Sequence, residues 1–379
     1  MIYFEITKFI LIFLLGILFL NYLRTFLNVS QVRTNLIYFY HTIFMFVRYY
    51  YGETYSDDGP SYYLWATTDI YNDISLKSHF YLIFFIRILH EYLFLKYIHI
   101  CLVFNIIGSI GFLFIVSVLQ NVINRNYSHL ERVMILFFIL IPSLNFYTSA
   151  IGKDTIIITA ASIFLYSILR INHRIILLII SVLTIFIIRP YIGFFIIVSL
   201  VIYYLLNLFK FNFIFNVISL TLLGLFIIVL QFTFLSEYAI DVFDINIIFS
   251  FIEYRQATHL EASTYTDISN MFFLFRPLNY IFRPFIFEIN SLFIAIVAIE
   301  NLFLMFLFSY YIFKIKIKKI FQNKVLLFIF IFSFVLLIFL SNVTAVLGIA
   351  VRQKWLILIF LFYLFIASSN NSKKISSIN

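Results

Sequence analysis

Long apolar runs without a single charge constrain this chain more than any other feature. The stretches 133–151, 191–209 and 325–341 contain no Asp, Glu, Lys or Arg. A helix needs about 20 apolar residues to cross a bilayer core. Runs of this kind point to an all-α polytopic membrane protein. A β-barrel would show short alternating segments instead. Composition agrees, with 64% hydrophobic and only 11% charged residues, which excludes a soluble domain. The single cysteine, Cys101, excludes a disulfide framework or a thiolate metal cluster and reads as packing.

About ten spans are expected at roughly membrane length. They are Phe9–Leu23, Tyr97–Gln120, Val133–Ile151, Thr155–Leu169, Ile175–Ile188, Tyr191–Phe209, Phe213–Leu235, Ile289–Phe313, Val325–Ser341 and Trp355–Ala367. The loops between them alternate in charge. One set holds Lys8, Arg125, Arg132, Arg170, Arg174, Lys210, the Lys314–Lys324 run, Lys373 and Lys374. The positive-inside rule makes these loops, and both termini, cytoplasmic. The other set carries most of the carboxylates and includes two long extracytoplasmic loops, 24–96 and 236–288. Within the first, 36–51 and 80–97 are apolar segments broken by His41, Arg48, Arg87, His90 and Glu91. They are expected to be helices lying in the membrane interface. The first span has no cleavage site after it and reads as a retained anchor. The whole chain, 1–379, is expected to be one membrane domain.

The net charge of +9 is distributed as topology signals, with no basic stripe for nucleic acid. The chain has no phosphate-binding glycine loop, no zincin pair at His90-Glu91 and no nucleophile elbow. The charges that remain gather on the outer side. Asp57 and Asp58 precede a Gly59-Pro60 turn, and a carboxylate there could accept a proton or hold a divalent cation. A solvated turn is the plainer reading. Lys153 sits in a tight turn beside Asp154, which either neutralises it or leaves it to meet a phosphate at a helix N-terminus. Arg189-Pro190, Arg276-Pro277 and Arg283-Pro284 place arginines at helix starts. Glu288 stands at the mouth of the next span, with Glu300 about three turns deeper on nearly the same face. Arg352 lies before the last span. Lys153, Arg189, Arg276, Arg283 and Arg352 thus set cations on the side where positive charge is not favoured.

The ordered set Asp58-Gly59-Pro60-Ser61-Tyr62-Tyr63, Pro142-Ser143 to Gly152-Lys153-Asp154, Ile188-Arg189-Pro190-Tyr191, Arg283-Pro284-Phe285 with Glu288 and Glu300, and Asn342 to Arg352-Gln353 resembles the Wzy-type polymerases of O-antigen and capsular polysaccharide. The resemblance covers residues from about 50 to 355. Relatives carry His after the Arg-Pro pair, where this chain has Tyr191. The resemblance implies a GT-C-like membrane glycosyltransferase fold in a bacterial inner membrane. It also implies a polyprenyl-diphosphate-linked oligosaccharide as donor and another as acceptor. The expected catalytic carboxylates are Asp58, Asp57 and Glu288. Lys153, Arg189, Tyr191, Arg276, Arg283, Glu300 and Arg352 are expected to bind the diphosphate and glycan. No cofactor is required, although Asp57 and Asp58 could take a divalent cation. The bilayer and a chain-length regulator protein are the other expected partners, and nucleic acid is not one. A flippase for the same lipid-linked glycan, or another lipid-linked-sugar transferase such as a ligase, stays open.

Overall fold

The computed structural model describes residues 2–55, 57–68, 79–123, 129–205, 268 and 271–369. Among the described residues the chain is built of helices joined by short turns. They are α1 (Ile2–Leu27), α2 (Gln31–Thr54), α3 (Asp58–Thr67), α4 (Phe80–Glu91), α5 (Tyr97–Val122), α6 (His129–Leu140), α7 (Pro142–Thr148), α8 (Lys153–Ile168), α9 (Ile171–Ile188), α10 (Pro190–Leu205), α11 (Arg276–Phe282), α12 (Leu292–Ile312), α13 (Ile317–Gln322), α14 (Lys324–Val343) and α15 (Leu347–Ser369). Short 3-10 turns flank α11 at Phe273–Phe275 and Ile286–Glu288. The chain divides into two compact units, one running through Arg189 and one covering Pro190–Ser369.

Six described helices are long and apolar enough to cross a membrane: Tyr3–Leu27, Tyr97–Val122, Ile171–Ile188, Leu292–Ile312, Lys324–Val343 and Leu347–Ser369. This multi-pass architecture is what the apolar runs require, but the count is below the expected ten. The run 133–151 does not form one span. Pro142 lacks an N–H for a continuing helix, so α6 stops at Leu140 and α7 starts afresh. Helix α8 then leaves α7 at 109°, and the bent pair makes at most one further span. Helix α10 is apolar but short. The expected span Phe213–Leu235, and most of the loop 236–288, lie outside the described residues.

The first unit corrects the reading of residues 24–96. Asn28, with φ 55°, takes the left-handed conformation that asparagine tolerates and ends α1. Ser30 then caps α2 by accepting the Arg33 N–H. The two helices form an antiparallel hairpin, with Asn21 Nδ2 3.1 Å from Asn35 Oδ1 and Phe9 facing Phe46. Helix α2 is also antiparallel to α5, since His41 meets Asn105 and Tyr49 meets Tyr97. Accordingly α1 and α5 are parallel: Lys96 Nζ is 3.2 Å from Glu5 Oε1, and Ser117 Oγ donates to Leu27 O at 2.7 Å. A helix of 24 residues extends about 36 Å, long enough to run alongside both.

Its side chains are arranged inside out. Val32, Phe39, Ile43, Val47 and Tyr50 are exposed, while Thr34, His41, Thr42 and Arg48 are buried. That inversion suits a helix surrounded by lipid, where polar groups must find partners inside the protein. Segment 36–51 is therefore part of a helix that runs the length of the bundle rather than an interfacial one. The beginning of α1 then lies at the same end as Phe94 and Lys96, with Lys8 Nζ donating to Phe94 O at 3.0 Å, so Lys8 and these residues cannot lie on opposite sides. Segment 80–97 is also not one helix. Helix α4 ends at Glu91, burying Leu82, Ile83, Ile86 and Leu89, and Tyr97 opens α5.

Helix α8 runs parallel to α5, with Thr159 Oγ1 donating to Ile107 O at 2.9 Å and Phe114 edge-on to Tyr166. Helix α9 returns antiparallel to it, bringing Arg189 back to Asp154. Asp57, Asp58, Lys153 and Arg189 therefore belong to one end of this unit. In the second unit, aromatic contacts join α10 to α14 (Phe195–Phe339), α14 to α15 (Phe332–Phe360), α12 to α15 (Phe308–Phe365) and α11 to α12 (Phe282–Phe308).

Candidate functional site

The polar end of the first unit is organised by Arg48. Its Nε lies 3.1 Å from Asp57 Oδ2, its Nη2 lies 3.5 Å from Asp57 Oδ1, and Nη1 donates to Tyr147 O at 2.7 Å. A planar fork meeting a carboxylate with two nitrogens is the geometry arginine favours. Gly152 lets the start of α8 come close: a Cβ there would sit 3.1 Å from Arg48 Nη2. Asp154, in the first turn of α8, forms an ion pair with Arg189 at the end of α9. Its charge also acts on Arg48. The result is a line of alternating charges, Asp57, Arg48, Asp154 and Arg189, nearly all of it buried.

This geometry redistributes the expected roles. Asp154 turns to Arg189, 35 residues away, rather than merely neutralising its neighbour Lys153. Asp57 is the N-cap residue of α3 but makes no capping bond, because its carboxylate faces Arg48. Asp58 opens α3 and is exposed, and Lys153 is half-buried. Among the described residues no three His, Cys, Asp or Glu side chains gather to hold a metal.

Below this end lies a buried network the sequence reading did not assemble. His41 Nδ1 is 2.5 Å from Asn105 Oδ1, and its Nε2 is 3.0 Å from Thr148 Oγ1. Asn105 Nδ2 donates to Thr42 Oγ1 at 2.8 Å, tying α2, α5 and α7 together. Gly108 makes room for it. A Cβ at Gly108 would stand 2.3 Å from Thr148 O and 2.5 Å from His41 Cε1. Backbone cannot swing aside as a side-chain tip can, so Gly108→Ala is expected to cost about 1–3 kcal/mol through overpacking. At Gly348 nothing lies within 4 Å, so Gly348→Ala should leave stability unchanged or slightly raised. Thermal unfolding of the two purified variants checks this, and equal melting temperatures would refute it.

In the second unit the Arg-Pro pairs bracket α11. Arg276 opens it, its Nη1 donating to Asn342 Oδ1 at 2.7 Å and its Nε to Met271 O at 3.0 Å. Arg283 follows it, with Nε 2.6 Å and Nη2 2.5 Å from Glu288 Oε1. The other Glu288 oxygen accepts the Phe285 N–H at 2.7 Å. Glu288 sits in a 3-10 turn before α12 begins at Leu292, so it does not share a helical face with Glu300 as expected. Glu300 is buried in α12, where its charge acts on Lys354. Both arginines and Arg352 are half-buried, and Tyr191 packs near Phe339. Phe272, Phe273, Leu274, Phe275, Leu278 and Phe287 are exposed around the arginines.

Burial alone would raise the Glu288 carboxyl, but the Arg283 side chain and the Phe285 amide outweigh it and hold the group below the ordinary glutamate range. A carboxyl held low is a poor base, which favours a holding role for Glu288 over proton abstraction. A depressed carboxyl contributes stability above its unfolded pKa and loses it as pH falls through the folded one. The Arg283–Glu288 turn should therefore stay closed at neutral pH and open only in acid. Acid-induced loss of melting temperature should shrink in Glu288→Gln, and an identical pH profile would refute the assignment.

Residues that sequence reasoning passed over include Arg48, Asn301 and Lys354. Arg48 and Lys354 were legible in part, as single cations within otherwise apolar stretches. Comparison with known protein families, curated protein sequences and solved structures finds no match.

Proposed function

We propose that the chain is a membrane glycosyltransferase that polymerises polyprenyl-diphosphate-linked oligosaccharides. The observation carrying this reading is the Arg276–Arg283 motif: two half-buried arginines whose chain neighbours Phe272, Phe273, Leu274, Phe275, Leu278 and Phe287 are exposed, just before a membrane-length helix. An anionic amphiphile such as a polyprenyl diphosphate has the matching chemistry. The ordered resemblance to Wzy-type polymerases supports the same substrate. In the reaction, an acceptor hydroxyl attacks the anomeric carbon of the donor, forming a glycosidic bond. The bond from that carbon to the diphosphate oxygen breaks, and polyprenyl diphosphate leaves. The hydroxyl proton goes to a carboxylate. Arg276, Arg283 and Arg352 stabilise the charge that builds on the diphosphate.

Deleting the gene and displaying the surface glycan by electrophoresis tests this. A ladder that collapses to a single repeat, and returns with the wild-type gene, is the expected result. Complete loss of surface glycan would make the protein a flippase for the lipid-linked unit. Full-length chains left on the carrier lipid would make it a ligase. An unchanged ladder would remove all three.

A further inference from the structure

We infer that Asn301 and Lys354 are positioning residues for Arg283, fixing its backbone on both sides. The inference rests on the reading that Arg283 binds a diphosphate. Lys354 lies in α15 and is fully buried, and Asn301 lies in α12 with 1% exposure. The Lys354 ammonium donates to Asn301 Oδ1, and to Ile281 O at 3.2 Å. Asn301 Nδ2 donates to Pro284 O at 3.0 Å. Ile281 is in the last turn of α11, where carbonyls have no partner within the helix. Pro284 is the residue after Arg283. The carbonyl two residues before Arg283 and the one just after it are thus both tied to side chains from membrane-length helices.

Burying an ammonium costs several kcal/mol unless its partners are well placed. Here the partners are Glu300, whose charge acts on it, and a turn that carries the half-buried Arg283 guanidinium. Apolar packing at 301 and 354 would be simpler for a helix pair that only had to hold together. What Asn and Lys add is a directional grip on the α11 turn. Sites that recognise charge need such support, because a small displacement loses much of the electrostatic gain.

Asn301→Asp breaks the grip: it removes the donor to Pro284, sets a carboxylate oxygen against the Pro284 carbonyl, and keeps an acceptor for the Lys354 ammonium, which faces the added charge. The test uses the full-length protein in phosphatidylcholine nanodiscs, with Cys101→Ala removing the native thiol and Phe285→Cys reporting on the turn. Losing one buried hydrogen bond should speed maleimide labelling of that cysteine about tenfold and weaken farnesyl diphosphate binding by a similar factor. The helices should stay folded, with a lowered melting temperature. Lys354→Met combined with Glu300→Gln, which removes both buried charges together, should behave the same way. Unchanged labelling, or unchanged farnesyl diphosphate affinity, in a folded Asn301→Asp protein overturns the positioning role alone. A wild-type protein that binds no farnesyl diphosphate overturns the diphosphate reading itself.

Discussion

Replacing Arg189 by alanine is expected to destabilise the first unit severely, and replacing Asp154 with asparagine at the same time is expected to restore it. The pair is buried, with Asp154 7% and Arg189 8% exposed. Removing one partner leaves the other charge without compensation, at a cost of about 3–5 kcal/mol. Neutralising both removes the desolvation penalty along with the attraction, so Asp154→Asn/Arg189→Gln should melt close to wild type. The same double variant decides what Arg189 does. Its guanidinium already faces Asp154, and a diphosphate would have to displace that carboxylate. A structural role is therefore expected, and the double variant should recover the glycan ladder as well as stability. A folded double variant without the ladder would return Arg189 to the substrate. Arg48 offers a comparison, because it holds Asp57 and the Tyr147 carbonyl at once, and no single neutralisation compensates both.

Much of the framework was readable because lipid imposes a simple rule on apolar runs. The segments around 97–120, 325–341 and 355–367 emerge as α5, α14 and α15, each longer than expected because polar end residues continue the helix. The rule fails for α2. Its apolar face meets the surroundings and its polar face meets α1, α5 and α7, so Thr34, His41 and Arg48 lower the average hydropathy of a helix that runs the bundle's full length. It fails again at Pro142, where hydropathy is high but the backbone cannot continue. In the candidate site, the individual charges were visible and their partners were not. Arg283 and Glu288 are close in sequence and could be paired by eye. Asp154 with Arg189, Arg276 with Asn342, and Lys354 with Asn301 join residues tens of positions apart. Such pairs depend on which helices run parallel, and that is a property of packing. Arg352, Gln353 and Lys354 read together as the entrance to the last span, but α15 begins at Leu347, so all three lie inside the helix and Lys354 is buried.

Arg283→Ala and Glu288→Gln should have opposite effects on anion binding, although the two side chains form one ion pair. Arg283 supplies two nitrogens to Glu288 Oε1. If the guanidinium meets a diphosphate, the carboxylate competes with the substrate for it. Removing Arg283 then removes a donor aimed at developing charge, worth about 10²–10³ in rate. The ladder should collapse, and farnesyl diphosphate binding should weaken. Glutamine at 288 keeps one oxygen for Arg283, gives up the acceptor that Glu288 Oε2 offers the Phe285 amide, and removes the competing negative charge. Binding of farnesyl diphosphate should therefore tighten several-fold, and the ladder should persist. Were Glu288 the base, its glutamine variant would lose the ladder as completely as Arg283→Ala while binding the diphosphate normally. The sign of the Glu288→Gln effect on affinity, read beside its glycan pattern, thus separates a carboxylate that holds an arginine from one that takes a proton.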